Sequence, residues 1–276
     1  MIVDAHQHFW DPARADYPWM TGEAAPLRRR FGPEELAPLL AEHGVAGTVV
    51  VQARASLEAT RELLELAAAT PFVLGVVGWV DLTGGDVAQV LAGLDGPLVG
   101  VRHQVHDEPN PRWLLRPDVQ RGIAAVGEAG LAYDLLVRTA ELPAAVEAAR
   151  RQPGVRFVLD HVGKPPLRSG DLDAWAVGVT ALAELPNVTC KLSGLFTEAP
   201  PGADLAPIVE RALGWFGPER CMFGSDWPVC TLVTGYGGTV ELVRSTVSET
   251  DRDAVLSGTA ATVYGLQVPW QSSGRP

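Results

Sequence analysis

Ala46-Gly47-Thr48-Val49-Val50-Val51-Gln52 is a continuous, largely apolar run. A strand with one wet face alternates polar and apolar residues, whereas a strand covered on both faces does not. The run therefore predicts a strand of a parallel sheet lying under helices, and its flanks agree. On the N-terminal side, Pro33-Glu34-Glu35 put proline and two acids in a first helical turn. Leu36, Leu39 and Leu40 form that helix's apolar face, and Gly44 closes it. On the C-terminal side, residues 56–70 read as a helix with Arg61 and Glu65 at i,i+4, and 72–80 as the next strand.

The alternation continues to the end of the chain. Helices are expected at 86–94, 118–129, 140–151, 172–185, 204–216 and 239–247, and strands at 98–103, 131–137, 155–160, 188–192 and 221–224. With Ile2-Val3 opening the first strand, the strands number eight. Strand, loop, helix, strand requires parallel pairing through right-handed crossovers. Eight such units close into a (β/α)8 TIM barrel, here one domain over residues 1–276, with catalytic groups expected at the C-terminal strand ends. An open doubly wound sheet is the weaker reading, because no GxGxxG or GxxxxGK[ST] turn follows any strand. Residues 13–31 read as a long irregular loop, 252–264 as an amphipathic piece on the barrel's outer wall, and 271–276 as a loose tail.

At 276 residues, with 47% hydrophobic and 20% charged, composition is that of a globular enzyme-sized chain. The net charge of −11 argues against nucleic acid or an anionic membrane as partner. No apolar run approaches membrane-spanning length. Cys190, Cys221 and Cys230 are odd in number and lack CxxC spacing, as expected of buried thiols in a reducing compartment. The first strand begins almost at Met1, so a cytoplasmic protein without signal peptide is expected. The expected partner is a small molecule; the oligomeric state has no sequence signal.

Function in a barrel is read from residues just past each strand. The first strand ends in Asp4-Ala5-His6-Gln7-His8. Alternation directs His6 and His8 the same way, a spacing suited to a zinc-type metal or, equally, to a polar strand end. The third offers Trp79, the fourth Arg102-His103-Gln104, the sixth Asp160-His161-Val162-Gly163-Lys164, the seventh Lys191 and the eighth Ser225-Asp226-Trp227. Closure of the barrel makes the first and eighth strands neighbours, bringing Asp226 beside His6 and His8 as a metal-site carboxylate or a turn aspartate. His161 reads as a third imidazole ligand, a proton donor or a core histidine. Arg102, expected on the rim opposite Asp226, either grips substrate or pairs with Asp107 or Glu108. Lys164 and Lys191 present the same choice. Trp10, Trp79 and Trp227 wall a pocket or pack the core. His43 and His106 read as structural or exposed.

The ordered set DAHQHFWDP, GVRHQVHDEPNPRWL, LDHVGKP, CKLSGL and MFGSDWPVC, spread over residues 4–230, resembles the amidohydrolase superfamily in its amidohydrolase-2 branch. Within it, the segment VRHQ with the following HDEP is most similar to lactonases acting on sugar lactones, such as L-fucono- and L-rhamnono-lactonases. The resemblance implies the barrel, hydrolysis of a cyclic ester, Asp226 and His161 as catalytic groups and either His6, His8, His161 and Asp226 as ligands of one divalent metal, zinc first, or a site that works without metal, as in some lactonases of this branch. Arg102, His103, Lys164, Trp79 and Trp227 then meet the substrate. Binuclear members carry lysine or glutamate on strand 4 and histidine on strand 5; this chain has Arg102-His103-Gln104 and no strand 5 histidine, which speaks against a two-metal centre. A decarboxylase or hydratase of the same branch, and a barrel without catalysis, are the competing classes.

Overall fold

The computed structural model describes residues 1–268; the expected loose tail lies outside the described residues. Eight strands follow in chain order: β1 Ile2–Gln7, β2 Val45–Val51, β3 Val73–Gly78, β4 Leu98–His103, β5 Ala132–Leu135, β6 Arg156–Leu159, β7 Val188–Leu192 and β8 Cys221–Phe223. Each pairs in parallel with the next. Between them lie α1 Pro33–His43, α2 Leu57–Ala68, α3 Val87–Ala92, α4 Pro117–Glu128, α5 Leu142–Arg151 and α6 Asp173–Ala183. They are followed by α7 Leu195–Glu198, α8 Ala206–Phe216, α9 Tyr236–Thr246 and α10 Thr259–Tyr264. The fold is a (β/α)8 TIM barrel. Several strands are shorter than hydropathy alone predicts, because their last apolar residues already belong to the loops at the mouth. The short α7 was not anticipated.

Local signals start and stop these helices. Pro33 stands in the first turn of α1, and Gly44 ends it at φ 67, a left-handed conformation that costs glycine nothing. Ser56 Oγ accepts from Ala59 N at 3.4 Å at the start of α2.

Strand side chains divide between two apolar clusters. Val50, Val76, Val101, Tyr133, Phe157, Cys190 and Phe223 face outward and pack with helix residues such as Leu36, Leu63, Ile123, Leu142 and Val209. Their partners in alternation, among them Val3, Ala5, Val49, Val51, Val77, Val158 and Met222, form the second cluster with Ala260, Ala261, Val263, Tyr264 and Leu266. That grouping corrects the expectation for the second half of 252–264, while Val255 and Leu256 stay with the outer cluster as expected. Tyr264 touches the Gly100 position of β4, its hydroxyl lies 2.8 Å from Asp134 Oδ2 on β5, and its ring lies 5.4 Å from Lys191 Nζ on β7. One side chain reaches three strands at once only from the axis, so α10 plugs the barrel floor instead of lying on its wall. Periodicity marks an apolar face but does not name the surface that covers it.

The seam between β1 and β8 is closed by backbone bonds and by one buried side chain. Backbone bonds cross it from Asp226 N to His6 O (2.8 Å) and from His8 N to Trp227 O (2.7 Å). Below them Asp4, fully buried, accepts from Ser225 N (2.8 Å), Ser225 Oγ (2.6 Å), Tyr236 Oη (3.0 Å) and His6 N (3.1 Å).

Candidate active site

The C-terminal ends of β1, β6 and β8 carry the groups that converge at the mouth. A register irregularity between Asp4 and Gln7 marks the end of β1. Past it, the rings of His6 and His8 meet edge to face at a centroid distance of 4.9 Å. His161 lies beside His6 with centroids 4.5 Å apart. His161, Val162, Lys164 and Asp226 are the non-glycine residues with positive φ among the described residues, at 54, 52, 49 and 56°. Such conformations are costly for side chains other than asparagine and aspartate, and they collect where the surrounding fold holds functional groups in place.

The polar atoms form two clusters sharing His6. In the first, His6 Nε2 lies 3.2 Å from His8 Nε2 and 3.7 Å from Asp226 Oδ1, and His8 Nε2 lies 3.2 Å from the same oxygen. His8 Nδ1 is 2.7 Å from Val51 O, which can only accept, so Nδ1 carries the proton and Nε2 turns a lone pair to Asp226. His6 Nε2, His8 Nε2 and Asp226 Oδ1 face one another, with Arg102 Nη1 3.3 Å from His6 Nε2 and Lys191 Nζ 3.2 Å from His6 Nδ1. The set of two imidazoles and one carboxylate suits a divalent ion such as zinc, and the Val51 carbonyl is the kind of outer partner that fixes a metal-binding histidine. In the second cluster, Asp160 Oδ1 lies 3.3 Å from His6 Nδ1 and 3.1 Å from Lys191 Nζ, while Asp160 Oδ2 is 3.0 Å from Arg102 Nη1. His161 completes this group, its Nδ1 2.9 Å from Ser193 Oγ.

Charge states follow from burial and neighbours. Burial pushes the pKa of both His6 and His161 well below the usual imidazole range, keeping them neutral. Burial works against ionised Asp226, but the neighbouring His161, His8 and Lys164 outweigh it and hold the carboxyl below its ordinary value. Asp160, likewise opposed by burial, is held well below its range by Lys191, His6 and Arg102.

Above these atoms opens a cavity of about 300 Å³ lined by His8, Trp10, Trp19, Arg102, Gln104, His106, Arg138, His161, Lys164 and Asp226. A family model described as an amidohydrolase matches residues 3–266. The chain belongs to the amidohydrolase family. It is 45% identical over 240 residues to an L-fucono-1,5-lactonase of Burkholderia ambifaria, covering 85% of this chain and 83% of that one. A second L-fucono-1,5-lactonase, from Burkholderia multivorans, is 40% identical over 286 residues, 97% of each chain. A zinc-bound crystal structure of an amidohydrolase from Burkholderia multivorans superposes with a TM-score of 0.92 at 39% identity, covering 96% of this chain and 99% of that one.

In this amidohydrolase the remaining candidates divide by position. Arg102 is not on a rim opposite Asp226: alternation along β4 turns it into the barrel, where it pairs with Asp160 instead of Asp107 or Glu108, 3.3 Å from His6 Nε2. It still lines the cavity, as does Lys164, whose Nζ is 2.6 Å from Glu198 Oε1. His103 points the other way. It stacks on Trp113 at 4.1 Å, accepts from Trp79 Nε1 at 3.0 Å and pairs with Glu108 at 2.7 Å, beside a neighbouring cavity that shares Gln104 and Trp19 with the first. Trp227, 2% exposed, packs edge to face on Phe9 and Phe31 behind the site. His43 stacks on Tyr236. His106, set aside in the sequence, faces the cavity; burial first, then Lys164, Arg138 and Arg102, push its pKa down to about 3. Arg138 and Trp19 also escape sequence reading, since each stands in a loop with no periodicity to orient it.

Gly194 sets the room available to His161. At φ 63, a Cβ added there lies 2.4 Å from His161 Nδ1, in the place of its Ser193 contact. Gly194→Ala should therefore displace the imidazole and, should His161 act in the reaction, lower turnover about tenfold to a hundredfold, the cost of a misplacement of about 1 Å. Activity and circular dichroism on the same preparation separate this from unfolding.

Proposed function

We propose that the chain hydrolyses a sugar-derived 1,5-lactone, such as an L-fuconolactone, to the aldonic acid. The observation that supports this most is the likeness over nearly the whole chain to two enzymes named for that reaction. A mouth lined by tryptophans, neutral imidazoles and cations suits a polyhydroxylated ring.

In this reading Asp226 takes a proton from water, and the oxygen of that water attacks the lactone carbonyl carbon. General base action of this kind contributes typically about 10²–10⁴-fold. A divalent ion held by His6, His8 and Asp226, with His161 as a further candidate ligand, supplies Lewis acidity when bound. His161, oriented by Ser193, donates toward the carbonyl oxygen as it gains charge. Asp226 then gives its proton to the ring oxygen as the C–O bond breaks, so that the leaving group departs as a hydroxyl. Arg102 and Lys164 hold ring substituents, while His103, Trp79 and Trp227 support the wall. Three buried free thiols fit work in a reducing cytoplasm. No helix among the described residues is long and apolar enough to cross a membrane.

The test is a panel of lactones read with a pH indicator, because the acid formed releases a proton at neutral pH. Turnover of hydroxylated 1,5-lactones is expected, falling after exhaustive chelation and returning with zinc. No turnover of any lactone would overturn the proposal, and CO2 release from an aromatic acid would move it to the decarboxylases.

A further inference from the structure

The polar groups around the catalytic cavity differ in what they still have to offer. Trp10 Nε1 lies 3.1 Å from Leu27 O and 3.0 Å from Arg29 O, and Trp19 Nε1 lies 3.1 Å from Ala53 O. Both indoles therefore spend their donors on backbone and give the cavity only their rings. Arg102, Arg138 and Lys164 bring cationic donors. Two neutral acceptors stand among them, Gln104 Oε1 and His106 Nδ1, two residues apart just after β4. Both atoms are buried, and neither has a hydrogen-bond partner among the described residues.

Their neighbours fix each as an acceptor. Arg102 O takes a hydrogen bond from Gln52 Nε2 at 3.1 Å, which assigns the Gln52 amide; Gln52 Oε1 in turn accepts from Gln104 Nε2, also at 3.1 Å. The relay leaves Gln104 Oε1 as its unused end. His106 Nε2 lies 3.4 Å from Asp107 Oδ1, which only accepts, so Nε2 carries the proton and Nδ1 the lone pair. Burial, with Lys164, Arg138 and Arg102 near, keeps the ring from taking a second proton. A buried acceptor without a donor is unfavourable, and two of them in one cavity call for a ligand that supplies donors.

We propose that Gln104 and His106 determine specificity by each accepting a hydrogen bond from one hydroxyl of the substrate ring. A ring hydroxyl is the neutral donor that a sugar-derived lactone carries. A ring carboxylate would suit Arg138 and Lys164, but its oxygens would add lone pairs to the two already unmatched. The pair therefore selects hydroxylated lactones over bare or acidic ones, a distinction the cations do not make.

The inference rests on the lactonase reading of the site. Its test is kcat/KM for L-fucono-1,5-lactone and its 2-, 3- and 4-deoxy analogues, with the wild type, His106→Phe and Gln104→Met. With the wild type, at least two deoxy analogues should fall about tenfold to a hundredfold, as when a buried polar group is left unpaired. Each variant should lose about as much on the parent lactone and cease to distinguish it from one deoxy analogue, a different one for each variant. A variant that loses equally on all four lactones has only a structural role at that position, which overturns the inference, as does a wild type indifferent to every hydroxyl. A wild type that opens no lactone overturns the lactonase reading as well, whereas turnover with either flat pattern overturns this inference alone. Should one variant not fold by circular dichroism, the other decides.

Discussion

Asp226→Asn is expected, on the proposed reading of the site, to lower lactone turnover by about two to four orders of magnitude while leaving the barrel folded. The side chain stands at the end of β8 with 5% exposure and φ 56. Asparagine is among the few residues that accept this left-handed conformation, so the loop survives the exchange. The amide cannot take a proton from water, and it presents no negative charge to the facing His8 and His6 nitrogens. The measurement is kcat/KM on a hydroxylated 1,5-lactone, with zinc content and circular dichroism on the same samples. Retained zinc with lost turnover isolates the proton transfer; undiminished turnover contradicts the assignment of the base.

Asp4→Ala is expected to destabilise the fold by about 2–4 kcal/mol. The substitution leaves Ser225 N, Ser225 Oγ, Tyr236 Oη and His6 N without their acceptor at the seam, and each buried group left unsatisfied costs about 1–3 kcal/mol before water relaxes the site. For a chain of this size the melting temperature should fall by about 4–16 °C. The pH dependence has a definite sign. Burial pushes the Asp4 carboxyl up to about 6 against the pull of its donors, from an ordinary value of 3.8. The folded protein therefore binds this proton more tightly than the unfolded chain. Its contribution is complete below about pH 4 and declines as pH rises through about 6. Thermal melts of the wild type should show that decline. Asp4→Asn should flatten it in part, because burial lifts Asp134 as well and that group remains. A slope unchanged in Asp4→Asn would locate the titration elsewhere.

Much of this was legible in one dimension because burial on two faces leaves a mark on composition. A strand covered by helices outside and packed inside shows as runs such as those at β2 and β3, and parallel order follows from the helices between. The pair His6 and His8 was visible through spacing, and Asp226 through the neighbourhood of the first and last strands. His161 stood at a strand end. Arg102 was visible as a candidate but not as a partner of Asp160, because pairing depends on which strands face one another across the lumen. His106 was passed over since a loop histidine has no period to aim it. The segment ending in Tyr264 was misplaced for a related reason: its apolar face fits a wall and a floor equally well.

The order of hydropathy along the chain determined the eight repeating units, their parallel sense and the end of the barrel at which polar residues gather, because these follow from local periodicity and chain connectivity. Tertiary structure alone decided which charges meet. Asp134, Lys191, Asp160 and Arg102 come from β5, β7, the end of β6 and β4, and neutralise one another only because closure of the sheet aims them at a common axis. Coulomb interactions in a dry lumen depend on separations of about 3 Å between residues distant in the chain, and no pattern of neighbours in a sequence encodes such distances.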